Sequence, residues 1–425
     1  MDKQIDVLFI HPRNYGKSQK YLKLPSLEFC QMAAILKNEG FEYKLLDFNI
    51  NNIEVDDSKT ELSSYSPKIV VIYGTENNHI NLIATAKLTK ELFPDALIGV
   101  NGSIVSFIIE HILENNFIDF VIKGTGEFTL AEILNHNCDL TKMEKVANLA
   151  YKIDDKIVDN KVEYISLKNL PIADRELYDL RTYKLHQPEA IVRSSWGCPS
   201  NCAFCNKTVF SKFRIYTIEH FFKEIDVLLK YGYNSFFFAD ETFAFSMKRL
   251  EEFCDFYKKN NYKFRWTSNL RVSDINDKLI KLMKENGAYR VFVGIETVSE
   301  ESNKLTNKLQ NITNLEDKIN ILKKNKMEFH ASFIVGNPGD SKGDIEKTIE
   351  FVKKIKPTLA TFNRLKLFPG TDIFINPEKY NLKVKDKYWF ENPKWITEQM
   401  VCTNLLSYKE IEEYSRKMTF EMILN

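Results

Sequence analysis

The sequence predicts an α/β protein: a doubly wound parallel sheet, then a partial six-stranded β/α barrel, then a short helical tail. Three observations carry that prediction. Apolar strands alternate with one-faced helices about five times before residue 140, the same alternation runs through six strands between 186 and 372, and three of the seven cysteines share one loop behind the first strand of the second run. A strand, a helix and a second parallel strand connect through a right-handed crossover, so repeating that unit specifies parallel sheets. A chain of 425 residues exceeds one ordinary core. The expected divisions are a first domain over 1–140, a connector over 141–185, a barrel over 186–372 and an extension over 373–425.

Val7 to Ile10 is a short apolar strand followed by a loop from His11 to Pro25. Leu27 to Asn38 carries apolar residues at helical spacing (Leu27, Cys30, Ala34, Leu36) and stops at Gly40, a helix terminator. Strands then follow at Phe41 to Leu46, Lys68 to Tyr73, Ala96 to Val100 and Phe120 to Lys123, with helices at Ile80 to Leu92, Val105 to Asn115 and Phe128 to Asn135; the helix after the second strand is the least distinct. Ligands of open sheets bind beyond the carboxyl ends of the strands. Small and polar residues collect there: Gly74-Thr75, Asn101-Gly102-Ser103 and Gly124-Thr125-Gly126-Glu127. Glycine permits close backbone approach at such ends, and ordinary turns would use it too. No Gly-x-Gly-x-x-Gly opens the first helix, which leaves a dinucleotide site weakly supported.

Val146 to Tyr164 alternates around Asp154-Asp155 as a small hairpin does, and the stretch through Leu170-Pro171 to Asp179 reads as a connector without chemistry of its own. The barrel strands are expected at Ala190 to Ser195, Ser235 to Ala239, Phe264 to Thr267, Arg290 to Ile295, Phe329 to Val335 and Thr358 to Leu367. Helices between them include Ile218 to Leu229, apolar on one face, and Asp277 to Asn286, stopped by Gly287. Barrel sites lie at the carboxyl ends of strands, where Asp240, Glu241, Asn269, Arg271 and Glu296 fall. Each is also explicable as a helix cap or surface ion pair. The tail from Tyr388 holds Trp389, Phe390 and Trp395, then an amphipathic helix from Tyr408, read as a cover for the core or for the substrate side.

Lys+Arg number 59 and Asp+Glu 58, so no net field draws in nucleic acid or an anionic membrane. Hydrophobic residues at 44% and aromatics at 13% describe a packed globular chain. The start carries Asp2 and only a short apolar run, unlike a signal peptide, and no stretch reaches bilayer length. A cytoplasmic protein is expected, and singly scattered Cys30, Cys138, Cys254 and Cys402 suit a reducing compartment.

The chemistry concentrates in Trp196-Gly197-Cys198-Pro199-Ser200-Asn201-Cys202-Ala203-Phe204-Cys205. Thiolates so closely spaced hold zinc or an iron-sulfur cluster. Structural zinc and electron-transfer 4Fe-4S clusters take four ligands, and no fourth Cys or His lies nearby, Cys254 and His220 being the closest reserves. Three cysteines leave one iron open to bind a substrate.

This Cys-x3-Cys-x2-Cys loop, with Phe204 before its last cysteine, resembles the radical SAM signature, in which the open iron is chelated by the amino and carboxylate groups of S-adenosylmethionine (SAM). Residues 1 to about 138 look like the cobalamin-binding (B12-binding) domain that precedes many such barrels, on the Pro25 loop, Gly40, Asn101-Gly102-Ser103 and Gly124 to Glu127. The Asp-x-His-x-x-Gly motif of other cobalamin proteins is absent: His11 is flanked by Phe9 and Asn14, and a loop histidine near the domain surface is the expectation for it. The resemblance implies cluster ligation by Cys198, Cys202 and Cys205, and SAM contacts from Phe204, Asp240, Glu241, Arg271 and Glu296. Asp240 and Glu241 stand where the family has Gly-Gly-Glu, written here Ala239-Asp240-Glu241 and meeting the methionine amino group; Glu296 matches a ribose-binding position, Arg271 the methionine carboxylate, and Ile334 to Pro338 the turn beside adenine. Cobalamin would meet Gly74, Thr75, Asn101, Gly102, Ser103, Gly124, Gly126 and Glu127. The implied activity is reductive cleavage of SAM to a 5'-deoxyadenosyl radical and methylation of an unactivated carbon of a small molecule, with a flavodoxin- or ferredoxin-type electron donor and neither nucleic acid nor membrane as partner. Rearrangement or cyclisation, with or without cobalamin, is the alternative; a non-catalytic zinc or iron-sulfur regulatory protein is the second.

Overall fold

A computed structural model describes residues 3–15, 23–206 and 212–423. Part of the expected loop from His11 to Pro25, residues 16–22, lies outside these. Two compact units emerge: residues 1–188 with 222–232 and 390–396, and residues 189–221 with 233–389 and 397–425.

In the first unit a sheet runs in the order β2-β1-β3-β4-β5-β6-β7. Its first five members are β1 (Lys3–His11), β2 (Tyr43–Asp47), β3 (Tyr65–Tyr73), β4 (Leu97–Asn101) and β5 (Phe120–Ile122), all parallel. The order reverses direction between β1 and β3, which makes their carboxyl ends a switch point. Both strands are apolar without interruption, Val7 to Ile10 and Ile69 to Ile72 having no exposed surface, as strands covered on both faces require. The helix Leu27–Glu39 starts with the Ser26 hydroxyl accepting from the Phe29 N–H and ends at Gly40 with φ 81°, a left-handed cap. Where the sequence signal was weakest, after β2, the chain forms two single turns, Phe48–Asn51 and Lys59–Leu62. The expected hairpin is present as β6 (Leu149–Ile153) and β7 (Lys156–Asp159). It is no free connector: β6 pairs antiparallel with β5 and extends the sheet. Further along, the Tyr183 hydroxyl donates to Asp47 at 2.6 Å and the Tyr43 hydroxyl to Asp174 at 2.5 Å, tying residues 174–183 to β2.

The second unit holds six parallel strands in the order β15-β14-β13-β12-β11-β8, with β8 (Ala190–Val192), β11 (Ser235–Phe238), β12 (Arg265–Arg271), β13 (Ala288–Glu296), β14 (Glu328–Val335) and β15 (Leu359–Arg364). A two-residue pairing of β9 (Ser195–Trp196) with β10 (Arg214–Ile215) closes the base of the cysteine loop. Unlike β1 and β3, these strands alternate. Val291, Val293 and Ile295 are buried while Phe292, Gly294 and Glu296 are half-exposed, and Phe329, Ala331 and Phe333 alternate in the same way with His330 and Ser332. A pleat sends successive side chains to opposite faces, so one face packs and the other lines a hollow. Beyond the barrel, β16 (Leu382–Val384) pairs with β17 (Val401–Thr403), and the helix Tyr408–Ile423 lies on the edge strand β15, its Ser415 hydroxyl donating to the Phe362 carbonyl at 2.9 Å. Among the described residues no helix is long and apolar enough to cross a membrane.

Candidate active site

The hollow of the second unit is a cavity of about 670 Å³ lined by Cys198, Cys202, Phe204 and Cys205 together with Glu241, Arg271 and Glu296. The cysteine loop has little freedom. Gly197 turns it with φ 77°, the Ala203 N–H donates to the Thr306 carbonyl at 2.9 Å, the Asn307 amide to the Asn201 carbonyl at 2.8 Å, and the Ile373 N–H to the Ala203 carbonyl at 3.2 Å. No disulfide joins the three thiols. The reserves for a fourth ligand are elsewhere: Cys254 is buried with its sulfur 3.9 Å from the Leu282 carbonyl, and His220 stacks on Tyr216 at 4.4 Å. Burial pushes the Cys202 thiol up to about 11; Lys308 opposes this, while Cys205 and Cys198 add to it. Three partly buried sulfurs that repel one another as thiolates are a donor set for a cationic centre.

The two adjacent carboxylates at the end of β11 separate sharply. Asp240 is fully buried and lies outside the cavity wall. It accepts from the Ser194 N–H at 3.0 Å, from the Ser194 hydroxyl at 2.8 Å and from the Ser195 hydroxyl. Burial raises its pKa against the pull of those bonds. The expectation that Asp240 meets an ammonium group is therefore corrected: its oxygens are engaged in fixing the end of β8, just ahead of the cysteines. Glu241 faces the cavity instead. Its Oε1 accepts from Arg193 at 2.7 Å, and its buried Oε2 has no hydrogen-bond partner, an arrangement that costs free energy until a donor arrives.

Glu296 sits where the β13–β14 register shifts, with φ 67°. A bulge of this kind re-aims a side chain, and a left-handed non-glycine residue carries backbone strain. Burial raises its carboxyl pKa and the Lys308 ammonium opposes the shift. Arg271 chelates Asp274 through Nε at 2.7 Å and Nη2 at 2.8 Å, leaving Nη1 to donate to Ser200 of the cysteine loop at 2.9 Å. Sequence reasoning missed Lys308, and also His330, Ser332 and Thr361, which line the same cavity. The last three were findable from the two-residue period of β14 and β15; Lys308, on a loop, had no such signal.

In the first unit, the residues at the strand ends pack on one another. The Gly74 N–H donates to the Asn101 carbonyl at 2.7 Å, and a Cβ on Gly102, whose φ is 141°, would stand 1.9 Å from the Gly74 carbonyl oxygen. Asn101 donates to Ile122 and Gly124, both at 3.1 Å, while its buried Oδ1 has no partner. Thr75 is held through its N–H by Asn78 at 2.7 Å, and Thr125 donates to Glu127 at 2.8 Å. Gly124 and Gly126 adopt φ of 58° and 46°. Ser103 is half-buried beside them. His11 corrects its expectation: it ends β1, buried, edge-on to Tyr73 at 5.0 Å and bonded to the Tyr178 hydroxyl at 3.2 Å.

Comparison with known proteins agrees with this two-part geometry. The radical SAM superfamily profile matches residues 192–352 and the B12 binding domain profile residues 21–134. The chain is a radical SAM enzyme with a B12-binding domain. It is 28% identical to an uncharacterized methyltransferase of Pyrococcus horikoshii over 82% of this chain and 78% of that one. To the anaerobic magnesium-protoporphyrin IX monomethyl ester cyclase of Rubrivivax gelatinosus it is 26% identical, over 91% of this chain and 73% of the other. Its fold is similar to that of the radical SAM methyltransferase TsrM from Kitasatospora setae, with TM-score 0.78 and 16% identity over 98% and 91% of the two chains. It is similar also to the cobalamin-dependent radical SAM enzyme OxsB, with TM-score 0.80 and 14% identity over 97% and 66%. The cofactors of this radical SAM enzyme are a 4Fe-4S cluster, SAM and cobalamin. The residues present fit them: three unbridged cysteines at the cavity, an unpartnered carboxylate oxygen beside it, and in the first unit an unpartnered amide oxygen at strand ends where glycine keeps the surface low.

Proposed function

We propose that this enzyme transfers a methyl group from SAM to an unactivated carbon of a small molecule enclosed in the barrel. The observation that carries this reading is the cavity, which the three cysteines and the carboxylates Glu241 and Glu296 line together and whose volume suits small molecules. Cys198, Cys202 and Cys205 hold the cluster, and Phe204 screens it from water. Glu241 receives the methionine ammonium on its free oxygen, Arg271 the methionine carboxylate, and Glu296 the ribose hydroxyls, through charge-assisted hydrogen bonds. The turn from Ile334 to Pro338 borders the adenine. Asp240 is a positioning residue that keeps Ser194 and Ser195, and hence the start of the loop, in place. Asn101, Gly102, Ser103, Gly74 and Thr75, with Gly124, Gly126 and Glu127, form the platform for cobalamin. When bound, the cofactors supply the electron that cleaves the sulfonium bond and the carrier for the methyl group; the chain supplies position and exclusion of water. A flavodoxin- or ferredoxin-type protein delivers the electron. Methyl transfer is supported by the methyltransferase names among the relatives; the cyclase relatives keep ring formation as a second reading.

The test is anaerobic incubation of the reconstituted protein with methyl-labelled SAM, a reductant and candidate substrates. Formation of 5'-deoxyadenosine with label in the product supports methyl transfer. Formation of 5'-deoxyadenosine without label moves the reading to cyclisation, and absence of 5'-deoxyadenosine removes both.

A further inference from the structure

Within the first unit, three side chains far apart in sequence meet at one point: His79, the first residue of the helix His79–Leu92; His111, in the helix Ile109–Leu113; and Glu391, in the single turn Trp389–Glu391. One ligand-capable atom from each lies within 4.8 Å of the others. His79 Nε2 is 3.7 Å from Glu391 Oε1, and His111 Nε2 bonds the same oxygen. None of the three is used by the chemistry proposed above. We propose that His79, His111 and Glu391 form a binding site for a borderline divalent metal ion, Zn²⁺ by its donor set.

Two imidazole nitrogens and one carboxylate oxygen are the ligands zinc takes when it keeps a fourth position for water. Their surroundings resemble those of a metal site. His79 is buried at 3% exposure and packs edge-on against Phe390 at 4.9 Å, which gives the ion an apolar wall. Its Nδ1 is buried without a partner, so its hydrogen-bonding capacity is not met by the protein alone. On the other histidine, Nδ1 lies 3.8 Å from the Glu114 carboxylate, the position of an outer carboxylate that orients a ligating imidazole. Glu391 and His111 each keep about a third of their side-chain surface exposed, which leaves an entry path and room for a water ligand. His79 stands a little farther from the Glu391 oxygen than two ligands of one ion do and His111 stands closer, so side-chain rotations that part His111 from Glu391 and bring His79 in are needed to set the donors on bonds of about 2.0–2.1 Å.

Such an ion has a structural use. It pins the segment 390–396 to two helices of the B12-binding unit. One of those helices starts immediately after Asn78, which holds the Thr75 N–H at 2.7 Å and donates to the Tyr73 carbonyl at 3.1 Å. The metal therefore braces the loop that follows β3, one of the strand ends assigned to cobalamin. It serves this brace whatever the barrel's reaction is.

The experiment is zinc titration of the full-length, cluster-reconstituted protein, with zinc, iron and sulfide measured on the same sample and zinc X-ray absorption read for its ligand shell. One zinc per chain is expected in addition to the cluster iron, with nitrogen and oxygen neighbours at about 2.0–2.1 Å and no sulfur shell near about 2.3 Å. Glu391→Gln, at a half-exposed position, should weaken zinc binding at least about 100-fold with iron and sulfide unchanged; His79→Gln should do the same, and Glu114→Gln should cost about 10-fold. A sulfur shell, zinc retained by Glu391→Gln, or no stoichiometric zinc at micromolar free Zn²⁺ overturns the proposal.

Discussion

At the carboxyl ends of β3, β4 and β5 the chain closes on itself: Asn101 bonds Ile122 and Gly124, Thr125 bonds Glu127, and Gly102 lies against Gly74. At the carboxyl ends of β11 to β15 it holds apart, with half-exposed side chains around an open volume and a Glu241 oxygen left unbonded. The contrast separates two ways of meeting a cofactor. A low, rigid surface needs small residues and satisfied backbone, even though it too leaves one oxygen, Asn101 Oδ1, unbonded, whereas a reaction chamber needs polar side chains held around an open volume.

The sharpest way to break this comparison is to remove the donors that only the barrel uses. Replacing any one of Cys198, Cys202 or Cys205 by Ala should lower 5'-deoxyadenosine formation by about 1,000-fold or more, because without the cluster no residue here supplies an electron. Cobalamin retention by the first unit should persist. Loss of both together would mean that the two ends do not act separately.

The platform is tested next by Gly102→Ala. The added Cβ meets backbone rather than a movable side chain, at a φ that disfavours any Cβ, so a stability loss of about 2–4 kcal/mol is expected. Denaturant unfolding measures it, and an unchanged midpoint would show that the two strand ends can part freely. In the barrel, the paired test is Glu241→Gln against Asp240→Asn. The first removes the charge facing the cavity and should raise the KM for SAM about 10–100-fold, the range of one charge-assisted hydrogen bond. The second should lower the unfolding midpoint while leaving that KM within about threefold, since its bonds lie within the protein. Equal effects on KM would return Asp240 to the cavity.

These tests also mark how far the chain could be read beforehand. Uninterrupted apolar runs at Val7 to Ile10 and Ile69 to Ile72 state a doubly covered sheet directly, and the clustered cysteines point to zinc or an iron-sulfur cluster, the choice between them coming from the resemblance to the radical SAM signature. Asp240 and Glu241 could not be told apart, because both lie beyond β11, which ends at Phe238, where no strand period assigns a side and the backbone of the turn decides it. His11 looked like a loop residue because nothing local reports Tyr178, 167 residues away, as its partner. His79, His111 and Glu391 were silent for the same reason: His111 and Glu391 are 280 residues apart, and each is individually unremarkable.

The smallest expected effect compares how each unit answers to pH. In the first, burial holds the His11 pKa below its ordinary value of 6.5, with Asp47 pulling the other way. The unfolded chain then binds the proton more readily, so this histidine's contribution is present above about pH 6.5 and is lost as pH falls. In the second, burial pushes the Asp340 carboxyl up to about 7 although Thr297 donates to it at 2.8 Å. Here the folded chain binds the proton more readily, so the contribution is present below the unfolded value of 3.8 and is lost as pH rises through about 7. Opposite slopes should therefore appear in hydrogen exchange: peptides of β1 and β3 open more readily below pH 6.5, and peptides spanning 297–303 and 335–344 open more readily as pH rises from about 4 through about 7. Asp340→Asn should flatten only the second. Parallel slopes in both sets, or an unaltered slope in the variant, would place the titrating groups elsewhere.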